Sequence, residues 1–68
     1  MNNYAVAILI CRLDSQGVEH EHLYAELGKA HTEKEAYLMV LDSILMSNVY
    51  LDCYYKVVRY AVNKIVAI

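Results

Sequence analysis

Three groups of side chains in this sequence have the types and spacing to do chemistry. His20, His22 and Tyr24 alternate with Glu21 and Leu23. On a strand, positions two apart point the same way, so both imidazoles and the phenol would share one face. Two histidines so placed can ligate zinc or copper if a third ligand comes from His31 or a carboxylate. They could also hold an anionic small molecule such as a nucleotide. Any His-x-His in a strand gives this geometry, and two solvent-facing histidines explain it equally well. No metal site and no cofactor are therefore expected.

The second group is near the C-terminus, where Tyr54, Lys56 and Tyr60 alternate, with Arg59 and Lys64 close by. Aromatics interleaved with cations hold single-stranded nucleic acid by stacking and by charge. Tyrosine is also an interface residue, and three cations make a thin footprint for nucleic acid. The third group is Met39 and Met46, which lie between Glu35 and Asp42 on a helical wheel. Methionine there is either a second buried face or a plastic surface that accepts a partner. No nucleophile elbow, phosphate loop, dinucleotide fingerprint or helical His-Glu-x-x-His is present, so no enzyme is expected.

The elements that position these groups follow from local pattern. Residues 4–13, YAVAILICRL, are β-branched and apolar on both faces. Tyr4, Val6, Ile8 and Ile10 lie on one face; Ala5, Ala7, Leu9, Cys11 and Leu13 lie on the other. Such a strand needs cover above and below and belongs at the centre of a sheet. Asp14-Ser15-Gln16-Gly17 has type I turn chemistry, with glycine free to take the left-handed conformation. Residues 18–27 alternate and complete a hairpin, which Gly28 is expected to end.

Thr32-Glu33-Lys34-Glu35 is a capping box that opens a helix running to about Met46. Its apolar face holds Tyr37, Val40, Leu41, Ile44 and Leu45, with Leu38 at the edge. Residues 49–58 alternate as a strand, yet Asp52, Lys56, Arg59 and Asn63 form a polar stripe at helical period. The richness in Val, Ile and Tyr favours the strand. The reading is a single small α+β domain: a hairpin, one amphipathic helix and a C-terminal strand (ββαβ), with ββαα as the alternative. A right-handed crossover would put the first strand in the middle.

Composition limits what such a domain can be. The chain has 68 residues, 59% of them apolar, and a net charge of −2. That excludes a disordered chain, and two cysteines exclude a disulfide scaffold. Cys11 and Cys53 sit in apolar surroundings and are expected to be reduced and inert, as in the cytoplasm. No apolar run approaches the roughly 20 residues of a membrane helix, and no targeting segment is seen. Residues 1–48 carry three cations against seven acids; residues 49–68 carry three cations against one acid. An acidic body and a basic tail are suited to meeting each other, within a chain or between chains.

A core this small cannot hide so much apolar surface, so a homodimer or larger oligomer is expected. The function expected is a non-catalytic interaction module, a small adaptor or inhibitor of a larger protein. Small chains of this kind include accessory proteins of phages and mobile elements. Small-ligand binding and single-stranded nucleic-acid binding are the other readings. Val6, Ile8 and Ile10 are expected to face out of the subunit as its interface, because the alanines of the other face would let the helix approach closely. Met39, Met46, Tyr50, Tyr54 and Tyr60 would extend the contact surfaces. His20, His22, Tyr24, Lys56 and Arg59 are the candidate ligand contacts.

Overall fold

The structure, a computed structural model, describes residues 1–47 and 54–66. Four elements follow in order: β1 (Asn2–Leu13), β2 (Glu19–Ala30), α1 (Glu33–Ser47) and β3 (Tyr54–Ile65). They form one antiparallel sheet of order β2-β1-β3 with the helix on one side. The ββαβ arrangement is present and the ββαα alternative is not. The doubly apolar strand is central, as its composition requires. β2 and β3 both run antiparallel to it and therefore parallel to each other, joined through α1. Of the expected last strand, residues 49–53 lie outside the described residues.

Local chemistry fixes the connections. Asp14 Oδ1 accepts from the backbone N–H groups of Gln16 and Val18 at 2.8 and 2.9 Å. The Gly17 N–H donates to the Asp14 carbonyl at 3.1 Å, with Gly17 at φ +79°. A side chain bearing a Cβ is strained there, so the glycine is needed by the turn itself. At the helix start, Thr32 Oγ1 accepts from the Glu35 N–H at 3.1 Å, and the Ala36 N–H donates to the Thr32 carbonyl at 3.0 Å. The N-cap half of the box is thus formed.

Gly28 does not end the hairpin but lies inside β2. A Cβ there would stand 3.3 Å from Val40 Cγ2, so the missing side chain lets α1 settle onto the sheet. Ala36, Val40 and Ile44 are the buried helix residues, with Tyr37, Leu41 and Leu45 packed beside them.

The faces of β1 are the reverse of the expectation. Tyr4, Val6, Ile8 and Ile10 all point at the helix and form the core with Ala30, Ala36, Val40 and Ile44. Val6, Ile8 and Ile10 are the largest fully buried side chains, so they do not face out of the subunit. The physical reason is area: the branched chains give the helix far more apolar surface to remove from water than the alanines do. Close helix approach is supplied by Gly28 and Ala30 of β2 and Ala36 of α1.

The molecule is long and thin. Its extents are 48 × 17 × 15 Å and its radius of gyration is 13.2 Å. A compact chain of this length would have a radius of about 11 Å. One helix of 15 residues covers one side of a sheet built from 12-residue strands, and no described element covers the other side.

Candidate interaction surface

The open face is ordered by the pairing of the strands, because residues directly opposite each other point the same way. Ala25, Ala7 and Ala61 form a row across all three strands. Beside it, on one side, lie Leu27, Ala5 and Asn63. On the other side come Leu23, Leu9 and Arg59; then Glu21, Cys11 and Lys56; then Glu19, Leu13 and Tyr54. At the far end the row is Lys29, Asn3 and Ile65. The centre of the face is thus small and apolar, and from Glu19 to Leu23 its two flanks are opposite in charge. Leu23 is 72% exposed, Leu27 76% and Tyr54 86%.

Two shallow hollows mark this face. One of about 250 Å³ is floored by Ala5, Ala7, Ala25 and Ala61. The other, of about 210 Å³, lies among Cys11, Leu13, Glu19, Tyr54 and Lys56. Cys11 is a free thiol, 4% exposed, beneath that rim. Cys53 lies outside the described residues.

A β-bulge makes the pattern of β3. Leu9 pairs with Arg59 and Ile10 with Val57, so Val58 is the extra residue. Past the bulge the alternation changes phase. Tyr54 and Lys56 lie on the open face, and after the bulge so do Arg59, Ala61 and Asn63. The Lys56/Arg59/Asn63 spacing that resembles a helical stripe is therefore a bulged strand holding its polar residues on one side. Tyr60 consequently does not share a face with Tyr54 and Lys56. It lies on the helix side, its ring 4.2 Å from that of Tyr37 at 34°. The expected aromatic and cationic set is divided between the two sides of the sheet.

The helix side carries a cleft of about 410 Å³ between the first turns of α1 and β3, lined by Glu33, Lys34, Tyr37, Leu38 and Tyr60 among others. Burial, with help from the phenols of Tyr60 and Tyr55, raises the Tyr37 hydroxyl above its ordinary value of 10.0. Leu38, Met39 and Met46 are exposed on the outer surface of α1. Tyr50 lies outside the described residues.

His20, His22 and Tyr24 do share one face of β2, opposite Arg12, Ile10 and Ile8. The rings of His22 and Tyr24 lie 6.3 Å apart. His20 Nε2 is 2.9 Å from Asp14 Oδ2. That hydrogen bond, followed by those from the Val18 and Gln16 backbone, holds the Asp14 carboxyl at about 2, against an ordinary 3.8. A carboxylate thus occupies the position an anionic ligand would need at His20. Among the described residues no group of three or more His, Cys, Asp or Glu side chains is placed to hold a metal ion.

No described helix is long and apolar enough to cross a membrane. No protein-family model, curated protein or solved structure matches the chain.

Proposed function

We propose that this protein is a non-catalytic interaction module that self-associates, most simply as a dimer, and acts on a larger protein as an adaptor or inhibitor. The observation that carries the reading is the sheet face that no described element covers. Soluble monomers rarely expose contiguous apolar patches beyond a few hundred Å². Here Leu9, Leu13, Leu23, Leu27 and five small residues lie together on one side of a thin sheet. The exposed Met39 and Met46 on α1 form a second surface, suited to an outside partner rather than to the protein's own copy.

The test separates the two surfaces. Leu23→Lys should dissociate the oligomer in sedimentation velocity while leaving the circular dichroism of the fold unchanged, because an unpaired charge in an apolar contact is prohibitive. Met39→Glu should leave self-association intact. A Leu23→Lys variant that remains oligomeric, or a Met39→Glu variant that falls apart, overturns the assignment.

A further inference from the structure

We infer that two copies of this chain pack open face to open face about a two-fold axis running along β1, so that β2 of each copy lies over β3 of the other. The inference deepens the proposed self-association and rests on it. It is carried by the distribution of charge over the face. Glu19 and Glu21 stand on the β2 flank, with Lys29 at its far end; Lys56 and Arg59 stand on the β3 flank. Glu21 and Lys56 occupy the same level, each opposite Cys11.

Across β1 the Glu21 and Lys56 strands are two spacings apart, roughly 10 Å. No ion pair joins them: among the described residues the ion pair is Asp14–His20. Both charges are therefore available to another molecule. A rotation of 180° about an axis along β1 brings each copy's acidic flank over the other's basic flank and keeps every level in register. Glu21 then faces the partner's Lys56, and the contact occurs twice. Glu19 faces the partner's Tyr54, and Leu23 faces the aliphatic stem of the partner's Arg59. The row of Ala25, Ala7 and Ala61 meets its own copy and lets the sheets close to the usual separation of about 10 Å.

Other arrangements of two copies do not use this pattern. An axis across the strands places β2 over β2 and leaves Glu21 and the partner's Lys56 on opposite edges. Edge pairing of β2 with β2 joins two strands that each carry three glutamates against one lysine, and β3 with β3 joins two strands that each carry three cations and no acid. Like charges at an edge oppose such pairing. Area is sufficient: three strands of 12 residues present a face of roughly 14 by 40 Å, roughly 1,100 Å² for two copies. A specific contact needs about 1,000 Å².

The experiment is a charge exchange between chains. Glu21→Lys and Lys56→Glu are made separately; both positions are exposed, so both variants should fold. Each alone places like charges together twice and should weaken dimerisation about tenfold or more. Mixed in equal amounts, they place opposite charges together at both contacts, and association should return to the wild-type level. The chain carrying both substitutions should also associate like the wild type. A dimeric wild type whose two variants associate normally, or whose mixture gains nothing over either alone, overturns this geometry and leaves the self-association reading standing. A monomeric wild type overturns both.

Discussion

Ile8→Ala tests the assignment of the two faces of β1. Ile8 is 0% exposed beneath α1. The substitution deletes three carbon groups, a loss of roughly 2.4 kcal/mol in transfer free energy at about 0.8 kcal/mol per group. The cavity left under the helix raises this to about 3–4 kcal/mol, within the range seen for buried large-to-small changes. A domain of 68 residues holds about 3–10 kcal/mol in all. With a urea m-value of about 1 kcal/mol/M, the unfolding midpoint should fall by roughly 3 M. Leu23→Ala, on the open face, should change stability by less than about 0.5 kcal/mol in dilute solution, where association does not contribute. Urea melts of both variants, followed by circular dichroism at one low chain concentration, make the comparison. A larger loss for Leu23→Ala than for Ile8→Ala would refute the placement of the core.

Thr32→Ala should cost about 1 kcal/mol, because it removes the acceptor for the Glu35 N–H; an unchanged thermal melt would place the helix start elsewhere. Gly28→Val should cost about 1–3 kcal/mol by overpacking against Val40, and a neutral result would mean that α1 does not sit on β2 at that point. Asp14 has a folded pKa of about 2 against 3.8, so the stability it supplies is present above pH 3.8 and is lost as pH falls towards 2. The stability difference between wild type and Asp14→Asn should narrow across that window in acid melts. A difference independent of pH would show that the carboxylate charge plays no part in the turn.

What the sequence made readable was local. The Asp14 to Gly17 turn, the Thr32 cap and the central place of the first strand each follow from a few neighbouring residues. Which face of that strand meets the helix was not readable, because period two is symmetrical between Val6/Ile8/Ile10 and Ala5/Ala7/Leu9. The choice depends on Gly28, whose lack of a side chain seats α1, and a glycine in a strand pattern looks the same as one that ends it. The bulge at Val58 hid a second fact. By adding one residue it spaced Lys56 and Arg59 three apart, which imitates a helix and disguises the basic flank of the open face. Tyr60 was moved to Tyr37 by the same step. The opposition of acidic and basic halves was visible in the chain, but their placement on two flanks of one face needed the strand register.

Self-association through the open sheet face is tested most directly by sedimentation equilibrium of the wild-type protein from low to high micromolar concentration. The expected result is a reversible shift to twice the chain mass of 7.8 kDa. A mass of 7.8 kDa throughout that range would show that the half-buried Leu9 and the exposed Leu13, Leu23 and Leu27 face water in the working protein, and would contradict the reading.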